Sequence, residues 1–313
     1  MYDTINLRLE RMEVEGCNFL DEIAPNILNV GLHQYKDGVT ITGELEGLKV
    51  TASQYYISVK NSICKFYLGN NLKTLTRGDV KRAFEKLSDN LHLPMERAKV
   101  TRFDVAQNII VKYPVEVYLN HLGELPHYKR MPMVEVGSLY YQRGKKESLS
   151  FYDKNKQQRN AKEPVPELYK GCNVLRYEQR HTQRLPNTFK RESIIGETLY
   201  NETFYMEVID RWKKSYFDIR KINDITMNLN ELTGIKEVQK LALQCLIEKL
   251  GGQEKVLKQI KELQAMGKID RFQAKRLRDL FLNANKESSG LVVDDSLIKE
   301  LDCKIKDSVR FYS

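Results

Sequence analysis

Strict alternation of polar and apolar residues in three separated segments is the feature that most limits how this chain can fold. In VTRFDVAQN, Arg102, Asp104, Ala106 and Asn108 take one parity, while Phe103 and Val105 take the other. In NVLRYEQR, Arg176, Glu178 and Arg180 oppose Leu175 and Tyr177. In SLSFYDK, Ser148, Ser150, Tyr152 and Lys154 oppose Leu149, Phe151 and Asp153. A period of two sends successive side chains to opposite faces of a strand. Each segment therefore offers an apolar side for helices to cover and a polar side left for other work.

Further segments of the same kind surround these three. YDTINLRLE, GVTITGELEGLKVTAS, QYYISVKN and SLYYQR read as strands, and GKKE between SLYYQR and SLSFYDK reads as a hairpin turn. TLTRGDVKRAFEKLSDNLHL changes to helical spacing, with Val80, Ala83, Phe84, Leu87 and Leu91 on one side and a Thr76–Asp79 capping box at its start. PVEVYLNHLG opens a short helix at Pro114. More than four strands with few strand–helix–strand alternations predict an α+β fold with a largely antiparallel sheet backed by helices. From about residue 197 every segment has helical periodicity, broken at Gly251 and Gly252. The expected organisation is a domain over residues 1–200 and a helical C-terminal domain over 201–313.

A chain of 313 residues with 41% hydrophobic and 30% charged content is long enough and mixed enough to bury a core. No run of apolar residues is long enough to span a membrane, and the start lacks a basic-then-apolar leader, so a cytoplasmic location is expected. Cys17, Cys64, Cys172, Cys245 and Cys303 are scattered without a CxxC pair, which argues against disulfides and a cysteine zinc site. The formal charge of +9 favours a polyanionic partner, DNA foremost.

Brought onto one surface, the three polar sides would hold a chemistry suited to phosphodiesters. Asp104 and Glu178 would offer oxygen ligands to a hard divalent cation, Mg²⁺ or Mn²⁺. Arg102, Arg176 and Arg180 would contact phosphate oxygens. Tyr152 would act as nucleophile, with Lys154 on the same face to lower a phenol pKa that is ordinarily about 10. The competing reading is a solvated sheet face whose charges form cross-strand pairs.

The ordered set R-x-D, Y-x-K and R-[FY]-E, together with MYDTINLRLE and ISVKNSICKFYLGNNL, resembles the gene II/X family of phage and plasmid replication initiators. It also looks like the wider group of rolling-circle initiators. The resemblance implies a site-specific nickase of a diverged relaxase (HUH-like) fold, which links one DNA end to Tyr152 and frees a 3′-hydroxyl to start rolling-circle replication. It places Asp104 and Glu178 as metal ligands. The His-x-His pair of relaxases is absent, and Glu135, His121 and His127 stand as further ligand candidates. Tyr140 and Tyr141 are rival nucleophiles. Lys60 and Lys65, interleaved with Phe66 and Tyr67, suggest a strand-and-loop that follows a DNA backbone. The C-terminal helices are expected to dock duplex DNA, to join a homodimer, or to pack as a plain subdomain; host helicase and polymerase are the remaining partners. A non-catalytic DNA-binding regulator and a tyrosine recombinase are the alternatives, the latter disfavoured by a strand-borne tyrosine.

Overall fold

The computed structural model describes residues 1–14, 18–35, 38–133, 137–222, 224–227, 234–284, 291–294 and 296–312. Its centre is one antiparallel sheet. The strands are β1 (Tyr2–Glu10), β2 (Leu28–Tyr35), β3 (Gly38–Leu45), β4 (Leu48–Ser53), β5 (Tyr56–Ser62), β6 (Lys99–Val111), β7 (Lys129–Met133), β8 (Ser138–Arg143), β9 (Glu147–Asp153) and β10 (Asn173–His181). They lie in the order β2-β3-β4-β5-β1-β6-β10-β9-β8-β7. Two hairpin meanders flank a centre, β1-β6-β10, that only long-range pairing assembles. The α+β expectation with a largely antiparallel sheet is met.

Around the sheet run α1 (Phe19–Ile23), α2 (Ile63–Leu68), α3 (Arg77–Leu91), α4 (Val115–Asn120), α5 (Lys154–Asn160), α6 (Leu185–Phe189) and α7 (Glu202–Phe217). The capping box of α3 is present, with Asp79 N donating to Thr76 Oγ1 and Thr76 N to Asp79 Oδ2. The helix stops short of Pro94, at His92, which adopts a left-handed conformation at φ 53°. Ile5, Leu7, Leu9, Phe103, Val105, Leu149, Phe151 and Tyr177 are buried on the apolar side of the sheet. There Trp212 of α7 stacks on Tyr177 at 4.6 Å, and Tyr177 on Phe151 at 4.3 Å, which pins β9 and β10 from behind.

The chain divides into a compact unit of Met1–Ile222 with Ile298–Ser313 and a second unit of Asn223–Leu297. The division expected near residue 200 is thus replaced by one near 222. The reason is burial: α7 hides Phe204, Tyr205, Val208, Ile209, Trp212 and Tyr216 within the first unit. The second unit contains α8 (Ile235–Leu250), α9 (Gln253–Ala265) and α10 (Arg271–Asn283), with Val256, Ile260 and Ala274 at its core. A two-stranded sheet pairs Asp224–Met227 with Leu291–Asp294. Gly251 and Gly252, at φ 104° and 91°, make the break between α8 and α9 in a region of backbone space open to glycine. The last helix, α11 (Ser296–Tyr312), returns to the first unit, where Glu300 accepts from the Lys112 amide and Asp302 from Tyr216 Oη at 2.7 Å.

His181 of β10 is 1% exposed and lies against the rings of Phe103 and Phe189 at 4.9 and 5.2 Å. Burial pushes its imidazole down to about 4, against a smaller upward pull from Glu147. Unfolded, the ring takes a proton near 6.5, so the unfolded state binds more protons between the two values. The stability His181 confers is therefore complete above pH 6.5 and is lost as pH falls toward 4. Between pH 7 and pH 5 the His181→Leu variant should escape about 2 kcal/mol of the destabilisation that wild type suffers, as read by urea unfolding at both pH values.

Candidate active site

β6, β10 and β9 are neighbours, so the three polar sides fall on one surface. Arg180 lies opposite Asp104, Glu178 opposite Ala106 on β6 and Ser150 on β9, and Arg176 opposite Tyr152. Tyr152 Oη donates to Glu178 Oε2 at 3.2 Å. Arg180 Nε contacts Glu178 Oε1 at 2.7 Å and reaches toward Asp104 Oδ2 at 3.8 Å. Arg102 grips both oxygens of Asp104, with its Nε 2.9 Å from Oδ1. The phenol, the two acids and two of the arginines thus meet on one face.

Arg176 behaves differently. Its side chain is 1% exposed, with Nη2 2.6 Å from Asp3 Oδ2 and Nη1 bonded to Asn71 O and Asn108 Oδ1. Nε lies 3.4 Å from Glu178 Oε2. A guanidinium sealed in this way cannot meet a phosphate arriving from solvent, so its expected DNA contact is replaced by a structural tie. The residue that sequence reasoning missed is Asp3. Its parity places it with Ile5 and Leu7, but the register with β6 shifts between Tyr2 and Ile5. That irregularity sends Tyr2 to the apolar side and frees Asp3 to pair with Arg176. An acid in the apolar phase of an alternating strand is the one signal that could have found it.

Lys154 is also displaced from its expected place. β9 ends at Asp153, whose side chain caps α5, and Lys154 is the first residue of that helix. It is buried, and its Nζ donates to Gln157 Oε1 at 2.8 Å. Burial pushes its ammonium down to about 8, and Arg176 adds to the shift. The phenol of Tyr152, for its part, lies well above its ordinary range. Burial is the main cause; Glu178 and Asp3 push the same way, while Arg176 and Arg180 oppose it. The expected lowering of this phenol by Lys154 is thus absent, and its hydrogen-bond partner is Glu178.

The two acids differ in electrostatics. Burial pushes Asp104 up to about 6, with Arg102 pulling it down and Glu178 adding to the rise. Burial also works against ionised Glu178, yet Arg176 and Arg180 together hold it below the ordinary glutamate range. Asp3, Asp104 and Glu178 face Arg102, Arg176 and Arg180, a cluster of balanced charge. All four oxygens of Asp104 and Glu178 are engaged by Arg102, Arg176, Arg180 or Tyr152, so either acid could offer an oxygen to a hard cation only after an arginine turns away. Among the described residues no group of three or more His, Cys, Asp or Glu side chains is placed to hold a metal. His121 is buried, with Nδ1 2.6 Å from Ile222 O, and His127 lines a separate cavity with Leu125, Glu147 and Asp210. Neither joins Asp104 and Glu178. Glu135 and Cys17 lie outside the described residues.

Beside Tyr152 a cleft of about 570 Å³ is lined by Tyr140, Asp153, Lys156, Gln157 and Arg180. It separates the two rival tyrosines. Tyr141 is buried and donates to Gly123 O at 2.7 Å, so it packs. Tyr140 on β8, opposite Ser150 on β9, opens into the cleft. The Lys65 segment is helical, not an extended strand: Phe66 of α2 is buried, and Lys65 Nζ is held by Glu163 at 2.6 Å. Lys60 is exposed on β5, directly opposite exposed Lys49 on β4 and Asn6 on β1.

A family model, Phage_CRI, described as the N-terminal part of a replication-associated phage protein, matches residues 1–215. The chain belongs to that family. The match covers the whole cluster, from Asp3 to Arg180, and makes the chain a gene II-like phage replication initiator. No curated protein matches it. Among the described residues no helix is long and apolar enough to cross a membrane.

Proposed function

We propose that this initiator nicks one DNA strand at a specific site to begin rolling-circle replication, on a sheet that is a diverged form of the relaxase (HUH-like) endonuclease fold. Tyr152 Oη attacks the scissile phosphorus. The P–O3′ bond breaks, a 5′-phosphotyrosyl link forms, and the departing oxygen takes up a proton as the free 3′-hydroxyl. The supporting observation is the hydrogen bond from Tyr152 to Glu178 within reach of Asp104, Arg102 and Arg180.

Glu178 accepts the hydrogen bond that orients the attacking phenol, whose proton is released to solvent as the departing O3′ takes one up. Arg102 and Arg180, with side chains 31% and 39% exposed, turn their forks from the carboxylates to the non-bridging phosphate oxygens. With the arginines turned away, Asp104 and Glu178 would hold a divalent cation, Mg²⁺ or Mn²⁺, which would supply charge neutralisation to the phosphate. Arg176 and Asp3 hold Glu178 in place from within. Because the link conserves the phosphodiester's bond energy, the free 3′-end can later reverse it.

The test is incubation of origin-bearing supercoiled DNA with the full chain and Mg²⁺ or Mn²⁺, followed by peptide mapping of the DNA-linked protein. The expected adduct is on Tyr152. Because Tyr140 opens into the same cleft, it is the second reading, and an adduct there would transfer the role. No adduct at either would leave a non-catalytic DNA-binding regulator.

The same surface makes a binding prediction. Lys49 and Lys60 oppose one another directly across β4 and β5, a like-charge pairing that destabilises a sheet unless an anion lies over it. Replacing both by glutamine should flatten the slope of log affinity against log salt for single-stranded DNA by about 1.4, some 0.7 for each phosphate no longer neutralised. An unchanged slope would remove these lysines from the DNA path.

A further inference from the structure

We infer that Gln157 selects a base beside the scissile phosphate: its side-chain Nε2 donates to a carbonyl oxygen of thymine, guanine or cytosine, and adenine is disfavoured. This role rests on the proposed passage of a single DNA strand through the Tyr152 cleft. It bears on what the cleft recognises, not on whether Tyr152 cuts. The turn of helix at α5 creates the arrangement. Had β9 run on past Asp153, Lys154 and Gln157 would lie on opposite faces. Because α5 begins at Lys154, the two stand three residues apart on one helical face, where side chains meet.

The contact between them fixes the amide. Lys154 is 1% exposed, and its Nζ donates to Gln157 Oε1 at 2.8 Å. An ammonium group only donates, so the amide has to turn its oxygen inward and its nitrogen the other way. Flipping the amide would set two donors face to face at a buried position. Gln157 itself is half-buried and lines the cleft of about 570 Å³ beside Tyr152. What the cleft meets is therefore an amide held by its oxygen, with the Nε2 hydrogens left to donate. The other amides of α5 are placed differently. Asn155 and Gln158 are buried, and Asn160 is exposed, where either end of an amide can turn to a base.

The surroundings fit a nucleotide. Lys156 and Arg180 supply cations for its phosphates from the walls of the same cleft, and Tyr140 offers a ring for stacking. The volume lies in the range of clefts that enclose small ligands. Each base then differs by its exocyclic groups. Adenine alone lacks a carbonyl oxygen, and its N1 and N7 lie beside an amino group that would meet the amide donor to donor. Thymine alone lacks an exocyclic amino group. The ratio of thymine to adenine at one position of the bound strand is thus the signature of a donor in the cleft.

The test is selection of single-stranded DNA from a randomised library by the full chain, with sequencing of the bound strands. Wild type should enrich thymine over adenine at one position by about fivefold, the discrimination of one hydrogen bond. Gln157→Glu keeps one oxygen for Lys154 and turns a second to the cleft, so the preference there should invert to adenine over thymine. Lys154→Met frees the amide, and the preference should flatten, as expected of a positioning residue. A purely structural role for either side chain would lower binding without reversing a base preference. The added carboxylate repels phosphate, so the ratio and not the affinity is the readout. A wild type that favours thymine over adenine at no position overturns the inference, and so does a Gln157→Glu variant that reverses the preference at none. The selection reads binding alone, so either failure leaves the Tyr152 adduct to its own assay. A missing adduct, in turn, would leave an inverted ratio standing.

Discussion

Replacing Tyr152 by phenylalanine should lower the rate of DNA nicking by on the order of 10³-fold or more, with no DNA-linked protein recovered. Only one oxygen is removed. Glu178, which accepts from that oxygen at 3.2 Å, keeps Arg176 and Arg180 as partners. No buried charge is stranded, so the fold and the DNA affinity should change little. A nicking assay beside a binding titration separates the two effects. A rate within tenfold of wild type would show that another group makes the bond, and Tyr140→Phe is then the variant to compare. Loss of binding together with nicking would instead mean that Tyr152 holds the strand and does not attack it.

Arg176→Ala should lower the free energy of unfolding by about 3–5 kcal/mol, the usual effect of removing one partner from a buried ion pair. Asp3 would be left in a buried position without the guanidinium that sits 2.6 Å from it, and Glu178 would keep only one of its two cationic partners. Asn108 Oδ1 would lose its Arg176 donor as well, while Asn71 O would keep Asn108 Nδ2. The companion change Arg102→Ala removes a half-exposed side chain but leaves buried Asp104 with Arg180 at 3.8 Å, so its cost should be smaller than that of Arg176→Ala, about 1–3 kcal/mol. Its larger effect should be on nicking. Urea unfolding of the two variants makes the comparison. Equal costs would contradict the division of the three arginines into one internal tie and two that face the cleft. Asp3→Asn combined with Arg176→Met should recover part of the stability, because neither partner then remains charged and unpaired.

Local pattern accounts for much of what is seen. The alternation in β6, β9 and β10, the apolar stripe and capping box of α3, and the glycine break between α8 and α9 all involve residues within a turn or two of each other. Such features need no partner to be read. β2 and β7 are not legible in this way because neither alternates cleanly: β2 is exposed along almost its whole length, and β7 is interrupted by Pro132. α5 reads as the continuation of a strand, since nothing in SLSFYDKNKQQ marks Asp153 as a cap until its side chain accepts the Lys156 amide. For Arg176 the pattern is right about the face and silent about what covers it. The Asn71 loop, distant in sequence, closes over that end of the sheet and leaves Arg180, four residues on, open to the cleft.

What the amino-acid order alone determined is the set of faces: which side chains of each strand point together, and hence that a phenol, two acids and several guanidinium groups are available in polar phase. It also determined the family. Only the tertiary structure decided which strands are neighbours, where Asp3 enters, and which of the three arginines is sealed. The reason is physical: the side-chain period of a strand is a property of its own backbone, whereas register, irregularities and burial depend on partners that β1, β6 and β10 find far along the chain.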